Sequence, residues 1–301
     1  MSTPRPFDPN ELETLPVVQL VSVGPPIREG QIHRAWRGMV QTPGSVEPAI
    51  PVAMKYMASP VKLAIELGCS LASAVLGLPV PRGMLVLANP ADLTGLPTDA
   101  RQIAGRDEVL LYGSVLRWPD DTAERALSDD ASIADFLWHR FCDTKVAAPG
   151  AAWDELVANP DRHTGNFIFD GERYWLIDHD LSLRPLAEAV QRMTDAGTRQ
   201  SLIEHRANDN QVARQMLNRR PNDHGMLQQP KHFESKAKAL ELLATRMPSW
   251  RTGITPLDTV LVDAETVVRG IILRLPALAL QLNDRLSKPG GSLLWTPSNA
   301  S

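Results

Sequence analysis

The side chains best suited to chemistry lie in the segment NPDRHTGNFIFDGERYWLIDHD, residues 159–180. Asp161 precedes Asn166 by five positions, and Asp178 follows Asn166 by twelve. In a phosphoryl-transfer site one carboxylate orients the attacking hydroxyl, while an amide oxygen and a second carboxylate hold the metal that bridges the nucleotide phosphates. The segment therefore contains the polar groups that such a site needs.

A turn signal inside the segment predicts how these distant side chains meet. Asp170-Gly171 lies between two apolar runs, and this dipeptide favours a two-residue hairpin turn because both turn positions need a positive φ. Such a turn would pair residue 169 with residue 172. Asn166 and Asp178 would then lie near the same open end, on strands about 4.8 Å apart. The sequence therefore predicts that both side chains reach one cation.

Each of these residues also fits a structural role when it is taken alone. Asp-Arg pairs are common in surface salt bridges, Asp-Gly is an ordinary turn, and an asparagine such as Asn166 often caps a strand. Their conjunction in one ordered segment favours the functional interpretation, as a motif hypothesis that depends on its structural context.

The run Asp161-Arg162-His163-x-x-Asn166, followed by Ile177-Asp178, resembles the catalytic and metal-binding segments of the HipA-like kinases. Phosphoinositide kinases have a similar loop, and eukaryotic protein kinases use a related Asp-x-x-x-x-Asn. The resemblance extends upstream to Val52-Ala53-Met54-Lys55 and to the segment that ends Gly77-Leu78-Pro79-Val80-Pro81, and it covers approximately residues 20–185. It implies transfer of the γ-phosphoryl group of ATP, with Mg²⁺, to a serine or threonine hydroxyl of a protein.

The resemblance also implies a role for each position of the motif. Asp161 would orient the acceptor hydroxyl or take its proton, and His163 would shape the loop or contact phosphate. Asn166 and Asp178 would hold Mg²⁺. Asp180 would be a second carboxylate ligand if the strand that contains Asp178 continues, and a turn-forming or capping aspartate is the alternative.

Lys55 lies in the run VAMKYM, whose period-two alternation puts it on one face with Ala53 and Met57. An ammonium in an otherwise apolar strand needs an anionic partner, because an unpaired buried charge is costly. ATP phosphates would meet that need; an edge-strand lysine whose head reaches water is the alternative. Glu66 would orient Lys55, as a carboxylate does in protein kinases, or would form a surface pair with Lys62 at i,i+4.

The phosphate-covering loop that the resemblance implies has little support in the sequence. Gly24-Pro-Pro-Ile-Arg-Glu-Gly30 lies between two strand-like runs, but it has no Gly-x-Gly-x-x-Gly and its prolines remove N–H donors. Both glycines are interpreted as turn residues, so neither phosphate-loop nor hinge residues are assigned.

The elements that must position these residues follow from the hydrophobic pattern. Short apolar runs from Val17 to Tyr56 predict antiparallel strands joined by turns. Ser59-Pro60 predicts the start of a helix that runs to about Leu76. Further strands are predicted at residues 83–88 and 108–115, and helices follow from residue 131, the first over residues 131–146.

We therefore predict an α+β, two-lobed, kinase-like fold with ATP and Mg²⁺ in the cleft between the lobes. Residues 1–118 would form a β-rich nucleotide-binding lobe. Residues 119–301 would form a larger, mainly helical lobe that carries the catalytic loop and the metal-binding hairpin.

Composition narrows the classes of function. The chain has 301 residues, 43% of them hydrophobic, enough for one large core or two lobes. A net charge of −4 and a pI near 6.0 argue against nucleic-acid binding through bulk electrostatics. The N-terminal residues do not resemble a signal peptide, and the apolar segment 267–282 is too short and too charged to span a bilayer. We expect a cytoplasmic protein with no membrane or nucleic-acid partner.

Two other functions stay open at this point. A small-molecule phosphotransferase of the aminoglycoside or choline kinase kind usually shows His-Gly-Asp before the gap to asparagine, where this chain has Asn-Pro-Asp-Arg-His. A catalytically silent nucleotide-binding or interaction module would have no need of Lys55, Asp161, Asn166 and Asp178 together. Some HipA-like kinases act as toxins on translation components beside an antitoxin, so the resemblance leaves room for an antitoxin or regulatory partner. The substrate protein cannot be identified from the chain.

Overall fold

A computed structural model describes residues 17–27, 34–117, 131–183, 196–221, 223 and 225–287. Five strands form a closed barrel in the order β1-β2-β3-β5-β4. Their bounds are β1 Val17–Pro26, β2 Ala35–Gln41, β3 Ile50–Lys55, β4 Gly83–Ala88 and β5 Val109–Val115. Antiparallel pairing joins these neighbours, except that β1 pairs with β4 in parallel. The antiparallel strands predicted from Val17 to Tyr56 are present as β1, β2 and β3, and the parallel pairing of β1 with β4 closes the barrel.

Alternation along β3 separates the barrel interior from its outer face. Val52 and Met54 are buried in the interior, whereas Ala53 and Lys55 line a cleft outside it. Because β3 lies between β2 and β5, the interpretation of Lys55 as an edge-strand lysine is wrong. Pro51, the second residue of β3, still takes part in the ladder because its carbonyl accepts the Leu116 N–H at 2.9 Å.

Helix α1, Pro60–Leu76, follows β3 and has the ends that the sequence predicted. The Ser59 hydroxyl oxygen accepts the backbone N–H of Lys62 at 3.4 Å, and Pro60 is the first helical residue. Gly77 ends the helix at a φ of +77°, a left-handed conformation that glycine adopts without steric cost.

From residue 131 onwards, the described residues form helices and one hairpin. The α-helices are α2 Ala131–Cys142, α3 Ala147–Leu156, α4 Ala196–Glu204, α5 Gln211–Arg219, α6 Gln229–Glu234, α7 Ala237–Arg246 and α8 Thr255–Ser287. The single helix predicted over residues 131–146 ends early, at Cys142. There the Thr144 hydroxyl donates to the Phe141 carbonyl at 2.7 Å and accepts the Val146 N–H at 3.3 Å, and such side-chain bonds compete with the helical ones.

Helix α1 shares one hydrophobic core with the C-terminal helices, and it packs against α8. At Gly68 of α1, an added Cβ would lie 2.7 Å from the Val267 side chain of α8, so the close approach needs a glycine. The barrel interior forms a separate cluster. The α+β content is as predicted, the N-terminal strands form a closed barrel, and the boundary predicted at residues 118–119 falls outside the described residues.

Arg274 in α8 is a fully buried guanidinium that joins this core to α3 and α4. It donates to the carbonyls of Leu156 at 2.5 Å, Glu155 at 3.1 Å and His205 at 2.7 Å, and also to the carbonyl of Leu202. A cation at the C-terminal ends of helices is favourable. Burial lowers the pKa of Arg274 to about 10, so the group stays charged at neutral pH.

A short hairpin joins β6, Phe167–Phe169, to β7, Tyr174–Leu176. Phe169 pairs with Tyr174, so the connection has four residues and the predicted pairing of residue 169 with residue 172 is wrong. The Asp170 carboxylate accepts two backbone N–H groups within the turn, at 3.0 Å each, which stabilises the longer loop. Because the shift is two residues, each side chain keeps its predicted face.

None of the helices in the described ranges is both long and apolar enough to cross a membrane. The apolar segment 267–282 lies within α8, where its buried side chains contribute to the shared core.

Candidate functional site

A cleft beside the barrel brings together residues that are far apart in the sequence. Lys55, Glu66, Asn166 and Asp178 all line it. Apolar side chains form much of the remaining wall: Ala53, Val80, Leu116, Ile168 and Leu176. An apolar cleft with a few convergent polar groups is the usual form of a small-molecule site.

Asn166 directly precedes β6 and Asp178 follows β7 by two residues, so both lie at the open end of the hairpin. The Ile177 N–H donates to the Asn166 carbonyl at 3.1 Å, so the residue before Asp178 is tied to Asn166. The convergence predicted from the turn signal is therefore present, although the register of the hairpin differs.

Lys55 bridges two carboxylates. Its Nζ donates to Glu66 and to Asp178 Oδ1, the latter at 2.8 Å. Burial by itself disfavours the ammonium, but Glu66 and Asp178 together raise the pKa of Lys55 above its ordinary value. Lys55 is therefore a permanent cation in the cleft.

Glu66 lies on α1 and is only 1% exposed. One of its oxygens pairs with Lys55, and the other accepts the backbone N–H of His179 at 3.1 Å. Burial alone would raise the pKa of Glu66, but Lys55 and His179 lower it to about 2. The alternative of a surface pair with Lys62 is wrong, because Glu66 is buried and Lys62 bonds elsewhere.

The partner of Lys62 is Asp180, whose Oδ2 accepts from the lysine Nζ at 2.8 Å. Asp180 was expected to share a face with Asp178 if the strand continued, but β7 ends at Leu176. The structure therefore places the buried carboxylate of Asp180 in an ion pair with the half-buried Lys62 of α1.

Asp178 adopts a left-handed backbone, with a φ of +62°. This conformation is uncommon outside glycine, and aspartate and asparagine are among the residues that tolerate it best. Burial raises the pKa of Asp178, and the nearby charges of Glu66 and Asp180 add to this effect against the attraction of Lys55. Three carboxylates thus share the charges of two lysines, an excess of negative charge that suits a cation.

Asn166 is oriented by the loop that precedes it. Its Nδ2 donates to the Asp161 carbonyl at 2.7 Å, and within the described part of the chain its Oδ1 has no hydrogen-bond donor. The amide oxygen is therefore the atom of Asn166 that can ligate a cation.

Asp161 and His163 occupy different environments in the same loop. Asp161 is half-buried, and its backbone N–H donates to Asn159 Oδ1 at 3.1 Å. His163 is exposed, and its Nδ1 accepts the Gly165 N–H at 3.0 Å at the start of the short 3₁₀ helix Thr164–Asn166. The structure thus gives His163 a loop-shaping contact and leaves Asp161 half-buried, outside the set of residues that line the cleft.

A buried network that the sequence analysis did not predict lies beneath this loop. Arg162 is fully buried and forms an ion pair with Asp154 of α3, which is equally buried, at 3.0 Å. His179 Nε2 lies 3.0 Å from both Trp153 Nε1 and Arg162 Nη2. Both neighbours are donors only, so this nitrogen is the acceptor and the proton of a neutral His179 lies on Nδ1. Asp154 lies in a helix with no motif, so only its burial identifies it.

The rim of the cleft contains a second feature that the sequence analysis missed. Arg117, two residues after the end of β5, lies over the ring of Trp175 with its guanidinium carbon 3.5 Å from the ring centroid, and the guanidinium carbon of Arg173 lies 4.1 Å from the same centroid. The Trp175 N–H donates to Asp170 at 2.6 Å. This stack links the chain after the barrel to the hairpin.

The donor set of Asn166 and Asp178 is compatible with Mg²⁺. Magnesium prefers oxygen ligands and is commonly bound by one or two protein side chains, with substrate phosphates and water completing its shell. Over the described ranges, no three His, Cys, Asp or Glu side chains cluster as a complete metal site. Two oxygen donors of this kind fit a cation whose remaining ligands are phosphate and water oxygens.

The solved structures similar to this chain include protein kinases. The proinflammatory kinase CtkA of Helicobacter pylori aligns over 87% of this chain and 96% of its own, with a TM-score of 0.49 and 11% identity. The MAP kinase LmaMPK10 of Leishmania major aligns over 92% and 84%, with a TM-score of 0.29 and 12% identity. Both scores are below 0.5, so neither alignment supports a shared activity. No protein-family model and no curated protein matches the sequence, and the HipA-like resemblance rests on the motif residues alone.

Proposed function

We propose that this chain is an ATP-dependent phosphotransferase of the kinase type. One observation carries the proposal: Lys55 bonds to both Glu66 and Asp178, the latter 123 positions away, in a cleft that Asn166 also lines. A cation-binding pair and a buried, carboxylate-oriented lysine in one cleft form a site for nucleotide phosphates.

Each side chain has a distinct task in this proposal. Lys55 binds phosphate oxygens and exchanges its bond with Asp178 for them when the nucleotide enters. Glu66 keeps its bond and holds Lys55 in place, because its buried carboxylate has no access to water. Asn166 and Asp178 hold Mg²⁺, which would neutralise the negative charge of the phosphates when bound.

The proposal also concerns the group that accepts the phosphoryl group. Asp161 presents a carboxylate five residues before Asn166, where it would orient a hydroxyl and accept its proton. The likeness of the loop to HipA-like kinases supports a serine or threonine of a protein as the acceptor. In this proposal the protein acts in the cytoplasm, and an antitoxin or a regulatory protein is its partner.

The test measures Mg²⁺-dependent ATP turnover and autophosphorylation for the wild type, Asp161→Ala and Asp143→Ala. Loss of a positioned general base lowers turnover by about 10²-fold or more, so we expect this loss in Asp161→Ala with calorimetric MgATP binding retained. Asp143 is an exposed aspartate paired with Arg220, and its variant should behave as the wild type.

Phosphoamino-acid analysis of the labelled product would identify the acceptor hydroxyl. Equal turnover in Asp161→Ala and the wild type would contradict the proposed role. A wild type that binds MgATP and transfers no phosphoryl group would favour the silent nucleotide-binding module.

A further inference from the structure

We propose that Arg162 is the positioning residue that sets the relative placement of Asn166 and Asp178. The inference rests on the proposed function, since it concerns the two ligands of the proposed cation site. It assigns a task to a buried residue that is not among those that line the cleft.

The first observation is that one nitrogen of Arg162 contacts both ligand-bearing segments. Nη1 donates to the carbonyl of Asn166 at 3.1 Å and to the carbonyl of Ile177, the residue before Asp178, at 2.5 Å. These carbonyls lie on opposite sides of the open end of the hairpin. A single donor atom therefore contacts both segments, in addition to the bond from the Ile177 N–H to the Asn166 carbonyl that also joins them.

The second observation is that the guanidinium itself is held on its other edges. Nε donates to both carboxylate oxygens of Asp154, at 3.3 and 3.1 Å, and Nη2 donates to Asp154 Oδ1 at 3.0 Å. Nη2 also lies 3.0 Å from His179 Nε2, and Arg162 is 0% exposed. Charge-assisted, forked contacts of this kind are strong and directional, so the plane of the guanidinium cannot turn.

A buried guanidinium needs acceptors for all its N–H donors, and Arg162 finds two of them in backbone carbonyls beside the proposed cation site. These bonds run to the backbone on either side of the cation site, and together with those to Asp154 they require several N–H donors in one rigid plane. Lysine has the charge but only three donors on one nitrogen, so it cannot replace this set. The arrangement is that of an outer-shell group, which orients metal ligands without touching the metal.

The test is a binding measurement that does not depend on turnover. Mn²⁺ is titrated into protein saturated with a non-hydrolysable ATP analogue, and free Mn²⁺ is followed by electron paramagnetic resonance. Loss of outer-shell partners typically weakens metal binding by about 10–100-fold, so Arg162→Lys should show this change. Binding of the analogue without metal, which depends on Lys55, should stay as in the wild type.

Arg274→Lys is the matched control, because Arg274 is also a fully buried guanidinium bonded to backbone carbonyls, but at α3 and α4. It should lower the urea midpoint and leave the Mn²⁺ affinity unchanged. A purely structural role of Arg162 would give Arg162→Lys the same behaviour, and that result would overturn the inference.

If Arg162→Lys does not fold, Asp154→Asn takes its place, because it loosens the anchor and keeps the guanidinium. A folded Asp154→Asn protein should also bind Mn²⁺ more weakly, and wild-type affinity would refute the inference. Absence of Mn²⁺ binding in the wild type itself would refute the proposed cation site instead, so the two failures are distinguishable.

Discussion

Replacing Lys55 by methionine should weaken both the fold and the binding of nucleotide. Lys55→Met keeps the apolar stem and removes the ammonium that bonds to Glu66 and Asp178. From the alternation of β3 alone, a lysine facing a cleft would be replaceable with little loss of stability. The structure predicts otherwise, because Glu66 is only 1% exposed and would lose the ammonium that bonds to it.

The size of the effect follows from this burial. Removal of one partner of a buried ion pair costs about 3–5 kcal/mol, because the other charge is left uncompensated. The Lys55 side chain is 17% exposed, so some solvent screening applies and we expect a loss near the lower end, about 3 kcal/mol. For a domain stable by about 5–15 kcal/mol this is a large fraction.

The measurement is urea unfolding followed by tryptophan fluorescence, with calorimetric titration of MgATP on the same proteins. The double variant Lys55→Met/Glu66→Gln is the informative control, since it removes the orphaned carboxylate together with the lysine. Residues in contact show such non-additivity, so the double variant should be more stable than Lys55→Met. Its affinity for MgATP should stay low, because the phosphate ligand is still absent.

An unfolding free energy of Lys55→Met within about 0.5 kcal/mol of the wild type would refute the burial argument, since this is the effect of an ordinary surface change. Unchanged MgATP affinity together with unchanged turnover would mean that Lys55 does not serve the phosphates.

Asp178→Asn should abolish Mg²⁺-dependent transfer in a folded protein, because the change is nearly isosteric but removes the charge that holds the cation. Asp180→Asn should retain transfer, because its carboxylate is paired with α1; the reverse result in steady-state assays would move the ligand to Asp180. Arg274→Met should lower the unfolding free energy by about 3 kcal/mol or more through several orphaned carbonyls. Arg269→Met, which loses an exposed i,i+4 pair, should change it by about 0.3–0.5 kcal/mol in the same urea experiment. Glu66, with its pKa lowered from 4.5 to about 2, should stabilise the fold above pH 4.5 and lose this contribution as the pH falls towards 2. The stability difference between the wild type and Glu66→Gln should therefore shrink in acid, and a pH-independent difference would count against the assignment.

The sequence by itself determined the features that depend on near neighbours in the chain. Helix α1 begins at Ser59-Pro60 and ends at Gly77 because caps act within one turn. The alternation of β3 put Lys55 outside the barrel, because successive side chains point to opposite faces. The spacing of Asp161 and Asn166 likewise placed both groups in one loop.

The tertiary structure decided which partners these groups have. Spacing along the chain favoured Lys62, at i,i+4, as the partner of Glu66 over Lys55, which is eleven positions away. In the structure Glu66 pairs with Lys55, and Lys62 pairs with Asp180. A buried carboxylate needs a cation close to it because an unpaired buried charge is costly, and distance along the sequence does not show which cation is buried beside it. For the same reason the partners of the Arg162 guanidinium, which include the carbonyls of Asn166 and Ile177, are visible only in the folded structure.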